Sequence, residues 1–153
     1  MNEIRLSKKG NDLIKLYEEM AVNGIDRTDG TRKENVYNDF QLRKFRNLCQ
    51  SQISSEKIKT VLDYGGGGSD WDAPNFDPET NQSAKEFFQI RKVDKFEPAR
   101  GLVEKKQADC VVCMDVLEHI FIEDVPKVVA ELFSLSKKLL IVQIHRLFQT
   151  FFN

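Results

Sequence analysis

The sequence predicts an α/β domain built on an open, mostly parallel sheet with helices on both faces, and three observations lead there. A short β-rich run, Ile58 to Tyr64, stops abruptly at Gly65-Gly66-Gly67-Gly68. A continuous apolar run, Cys110 to Met114, is bounded by Asp109 and Asp115, the pattern of a strand buried on both faces. Helical patterns alternate with these strands instead of standing in a block, which requires crossover connections and layers of helix on either side of a sheet. A chain of 153 residues with 41% apolar content supports one core. A single domain over 1–153 is expected, with 1–56 as an N-terminal helical cover and 57–144 as the α/β core.

Taken in order, Leu13, Leu16, Tyr17 and Met20 fall at helical spacing before the stop signal Asn23-Gly24. Ile25 to Val36 is mostly polar, with a turn at Asp29-Gly30, and Leu42, Phe45, Leu48 and Cys49 give a second helix one apolar face. Such stripes usually pack on a core; the alternative is that these helices form a lid or an acceptor wall. Trp71 to Ser83, rich in Asp, Asn and Pro, reads as a long loop, and Ala84 to Ile90 as helical. Lys92 to Glu97 is a second strand closed by Pro98, and Cys110 to Met114 a central one. Asp124 and Pro126 mark a helix start, Val128, Val129, Leu132 and Phe133 supply its buried stripe, and Lys137-Lys138 suits its C-terminal end. Leu139 to Ile144 is the next strand.

Charge excludes several classes of function. Net charge is −1, so no global field attracts nucleic acid or an anionic membrane, although a local basic patch stays open as an alternative. Lys8-Lys9 and Arg43, Lys44, Arg46 read as solvated faces. There is no run of about 18 apolar residues and no apolar stretch like a secretory leader near the start, which points to the cytoplasm. Cys49, Cys110 and Cys113 are expected as free thiols. Cys110 and Cys113 have zinc-like spacing without a second pair, and residues three apart in a strand face opposite ways, so no metal site is expected.

In open parallel sheets ligands sit beyond the carboxyl ends of the strands, where strand order reverses. Asp63, the glycines, Glu97 and Asp115 would all lie on that rim. Glycines allow backbone to approach a ligand closely, and an acid at the end of the next strand, Glu97, can accept two ribose hydroxyls; it can equally be a solvated strand end. Trp71 can stack on a ligand or anchor its loop. His119 and His145 have no visible nucleophile beside them and read as structural.

These residues resemble those of a known family. Val61-Leu62-Asp63-Tyr64-Gly65-Gly66-Gly67-Gly68-Ser69 resembles the first motif of class I S-adenosylmethionine-dependent methyltransferases, Phe96-Glu97-Pro98-Ala99 its ribose-binding strand end, and Asp109 to Ile120, with Leu117-Glu118-His119, its fourth-strand segment. The resemblance covers roughly 57–144 and implies a three-layer, Rossmann-like fold, S-adenosylmethionine as cofactor and a small-molecule methyl acceptor. By position it assigns Asp63, Tyr64, Gly65, Gly66, Gly67, Glu97 and Leu117 to the cofactor. It makes Asp115 the polar residue facing the transferred methyl; Asp115 can equally cap the following turn.

Eleven residues separate Glu97 from Asp109, which leaves out the family's usual helix and third strand, so no adenine ligand is named. The family's closing antiparallel strand pair is expected to be missing as well. Phe148, Phe151 and Phe152 would then cover an open sheet edge or mediate self-association into a homo-oligomer. The competing reading is a noncatalytic cofactor-binding or interaction module that keeps the glycine turn alone. A nicotinamide enzyme fits less well, because the third glycine of G-x-G-x-x-G would fall at Asp70, whose charge would oppose pyrophosphate.

Overall fold

The computed structural model describes residues 4–26, 30–33 and 39–144. Helix α1 (Lys8–Asn23) leads, followed by two two-residue strands, β1 (Ile25–Asp26) and β2 (Arg32–Lys33), paired antiparallel apart from the main sheet. A 3-10 turn at Gln41–Phe45 runs into α2 (Arg46–Ser55). The core then alternates: β3 (Thr60–Tyr64), α3 (Ala84–Phe88), β4 (Lys92–Phe96), β5 (Ala108–Met114), α4 (Val125–Leu135) and β6 (Ser136–Gln143).

The four core strands form one parallel sheet in the order β4-β3-β5-β6. Among the described residues this sheet has no antiparallel member. Period-two alternation divides its side chains between two faces. Val61, Cys110 and Val112 meet Leu42, Cys49, Ile53, Ala84 and Phe88 on one side. Leu62, Val111 and Cys113 meet Val128, Leu132 and Leu135 of α4 on the other. Val61, Leu62, Val111 and Leu132 are at most 1% exposed, and each such side chain contributes about 1.5–3 kcal/mol through burial. The layered α/β architecture expected from the sequence is therefore present, and Cys110 to Met114 lies in an inner strand.

Asp109 fixes the amino end of the sheet. Its Oδ2 accepts the Lys59 and Thr60 amides at 3.0 and 3.1 Å, its own amide donates to Thr60 Oγ1 at 2.8 Å, and Lys138 lies 3.5 Å from Oδ1. These hydrogen bonds hold the Asp109 carboxyl below the usual carboxylate range against the opposing effect of burial, the largest single influence.

Three expectations are corrected. Phe133 is 66% exposed, whereas Glu131 of the same helix is buried, because Tyr64 Oη donates to its Oε2 at 2.7 Å and Lys105 Nζ to its Oε1 at 2.8 Å. Lys137 and Lys138 belong to β6, since α4 passes into strand at Ser136 without a loop. Asp124 stands at the start of α4 but makes no side-chain cap to it; its carboxylate turns to α1 instead.

Candidate functional site

From β3 the chain crosses through α3 to β4 on one side, then passes back over β3 to β5 on the other, so strand order reverses between β3 and β5. The carboxyl ends of these strands frame a crevice there. A cavity of ≈ 460 Å³ occupies it, with predominantly apolar walls. Asp63 to Gly67 and Ser69 line it from the β3 turn, Glu97 to Arg100 from the end of β4, and Met114 to Val116 with Glu118 to Phe121 from the end of β5.

The glycine turn is held from below and from the side. Asp63 is buried, and its Oδ2 accepts the Ser69 hydroxyl and, at 2.8 Å, the Trp71 indole N–H. A methyl group at Gly66 would overlap this carboxylate, and one at Gly65, where φ is 74°, would stand 2.6 Å from Val116 Cγ2. No other residue fits either position without displacing the loop. Burial pushes the Asp63 carboxyl up, against the Ser69 and Trp71 hydrogen bonds and the charge of Lys95. Lys95 Nζ also donates to the Ser69 carbonyl.

Glu97 ties the end of β4 to the turn. Its Oε2 accepts the Gly67 amide at 2.9 Å, and its Oε1 accepts the Ala99 amide at 3.3 Å across the Pro98–Arg100 turn. A carboxylate has about four lone-pair sites, so two such bonds leave acceptor capacity on both oxygens.

Of the remaining sequence-derived candidates, Asp115 lines the cavity with φ 53°, a left-handed conformation that aspartate tolerates, and its amide donates to the Gln143 carbonyl at 3.1 Å. Tyr64 also lines the cavity, but its hydroxyl is committed to Glu131, and burial with that bond pushes its pKa up. Leu117 is packed into the α4-side core and does not line the cavity; Val116 and Glu118 on either side of it do. Trp71 is 2% exposed, bonded to Asp63 and stacked within an aromatic cluster with Phe40 and Phe88, so it anchors its loop. His119 lies on the cavity wall with its ring edge-on to Tyr17 at 6.2 Å. The three cysteines are buried and free, with burial pushing Cys110 and Cys113 up to about 12. His145, Phe148, Phe151 and Phe152 lie outside the described residues. Among the described residues no group of three or more His, Cys, Asp or Glu is arranged to hold a metal ion.

For α1 the sequence left two readings open, packing on the core or a lid or acceptor wall. Gly10, Leu13, Ile14, Tyr17 and Ala21 form the wall opposite the glycine turn, so this helix serves as a wall of the cavity. Its apolar stripe was the available signal, but a stripe does not say what it faces. The clasp that seats it joins residues far apart in sequence: Asp124 accepts the Ser7 amide at 2.9 and 3.0 Å and its hydroxyl at 2.6 Å, while Ser7 Oγ caps the Gly10 amide at 3.1 Å. The Ser7 bonds, led by the hydroxyl, hold the Asp124 carboxyl below the usual range.

No protein-family model, curated protein or solved structure matches this chain.

Proposed function

We propose that the chain binds S-adenosylmethionine in this cavity and transfers its methyl group to a small-molecule acceptor. The observation that carries the reading is the Gly67–Glu97 bond: at the point where strand order reverses, an acid at the end of β4 is locked to a glycine turn at the end of β3. The residues present fit such a group. About 460 Å³ lies within the range of small-ligand pockets, apolar walls suit an adenine ring, and Glu97, Asp115 and Glu118 offer negative charge to a cationic amino-acid nucleoside.

When bound, the cofactor supplies an activated methyl group, so the protein has to align and desolvate the partners. In this reading Glu97 accepts ribose hydroxyls through its remaining lone pairs, the Gly65–Gly67 backbone lies against the amino-acid portion, and Asp63 keeps that turn in shape from beneath. Asp115 is the acid closest in role to a base or an orienting group for the acceptor. The α1 wall excludes water. A noncatalytic binding module is the second reading, supported by the stretch between β4 and β5: residues 97–107 hold one 3-10 turn and no helix.

Calorimetric titration with S-adenosylmethionine, S-adenosylhomocysteine and NADH tests the proposal. Saturable binding of both adenosyl ligands, absent for NADH and lost in Glu97→Ala, is the expected result. Heat from NADH alone, or from none of the three, contradicts it. Methyl transfer to any acceptor in a screen separates the catalytic reading from the noncatalytic one.

A further inference from the structure

The outer rim of the cavity differs in character from its floor. Phe121 and Ile122 form a projecting turn ahead of α4, closed by the Asp124 and Val125 amides donating to the Phe121 carbonyl. Ile122 is 85% exposed and Phe121 39%, and Phe121, with Leu6 and Ile120, also lines the cavity. One cation lies over this apolar tip, and others stand on the elements beside it. Lys9 Nζ lies 5.8 Å from the Phe121 ring centroid, and Lys127 Nζ donates to the Arg5 carbonyl at 3.1 Å. Lys8 opens α1 next to Ser7, which is bonded to Asp124. Arg5, Lys8, Lys9 and Lys127 are all exposed; against them stand exposed Asp12 and Glu123, and Asp124, which is buried beneath Lys127. Four cations against three acids, with Lys127 paired to Asp124, leave this rim an excess of one positive charge on a chain of net charge −1.

We propose that this face docks on an anionic lipid surface, with Ile122 and Phe121 entering the headgroup boundary and Arg5, Lys8, Lys9 and Lys127 meeting lipid phosphates. Apolar side chains flanked by lysine and arginine are the chemistry of interfacial attachment, where each cation and each buried methylene adds a modest increment. A nucleic-acid strand would need a continuous basic groove and aromatic platforms for its bases, and here a single ring already carries a lysine. Docking in this pose brings the apolar outer wall of the cavity to the lipid surface, so the acceptor class is an amphiphile presented from that surface. This last step rests on the methyl-transfer reading; the docking does not.

Co-sedimentation with vesicles of phosphatidylcholine, with and without phosphatidylserine, tests it in the absence of any cofactor. The wild-type chain is expected in the pellet with the anionic vesicles, less so at high salt. Ile122→Glu and the Lys8→Glu/Lys9→Glu double variant, folded by circular dichroism, are each expected to reduce that partition at least fivefold, the factor that about 1 kcal/mol represents. Chain that stays in the supernatant with anionic vesicles overturns the proposal. So does pelleting unaffected by Ile122→Glu, and so does a duplex oligonucleotide binding in place of vesicles. Vesicle binding retained in Glu97→Ala, alongside lost adenosyl-ligand binding, keeps the docking surface distinct from the cofactor site.

Discussion

At Gly66 one hydrogen atom separates a working turn from a clash. Because a methyl there would overlap the Asp63 carboxylate, Gly66→Ala is expected to cost about 1–3 kcal/mol, read as a lower urea midpoint at unchanged slope. Gly65→Ala combines a contact with Val116 and a positive φ, and should cost at least as much. Asp63 works in the opposite sense. Its folded pKa is raised, so ionising it opposes folding, and that contribution falls away below its ordinary value near 3.9. Asp124 is depressed, so its contribution is present above about pH 4 and is lost as pH falls through its lower folded value. The acid limb of the stability curve is therefore expected to be shallower in Asp124→Asn than in the wild type, as read from thermal midpoints between about pH 2 and 5. An unchanged limb would remove Asp124 from the clasp.

Among the elements, strands were the most legible. The runs at Ile58 to Tyr64 and Cys110 to Met114 betray themselves because a strand buried on both faces has no polar positions to spare. Helix faces were less legible, for reasons visible at single residues. Phe133 was expected inside, but it is exposed, and Glu131 is buried in its stead because the Tyr64 hydroxyl and Lys105 satisfy its carboxylate. The glycine turn and Glu97 were legible as a pair; the bond between them was not. The wall formed by α1 depends on Ser7 meeting Asp124 across 117 positions, which no local pattern encodes. Ser7→Ala removes a helix cap and the hydroxyl's bond to Asp124, leaving the amide bonds of the clasp, so amides of α1 should exchange about 5–30-fold faster while those of β5 stay protected. Lys105→Met leaves Glu131 buried with Tyr64 alone and is expected to lower stability by about 2–4 kcal/mol in denaturant titration.

For the molecule as a whole, the sheet order β4-β3-β5-β6 sets the candidate site, since it places one crevice where two connections diverge and supplies that crevice with a glycine floor, acids at two strand ends and an apolar helical wall. No helix among the described residues is long and apolar enough to cross a membrane. Binding of the proposed cofactor in this crevice is tested most directly by mapping ligand-induced amide shifts in the isotope-labelled chain on adding S-adenosylhomocysteine. Saturable shifts are expected at Gly65 to Gly67, Glu97 to Ala99 and Asp115 to Glu118, with Lys105 and the outer residues of β6 unmoved; absent shifts, or shifts centred away from the ends of β3, β4 and β5, would rule out cofactor binding in this crevice.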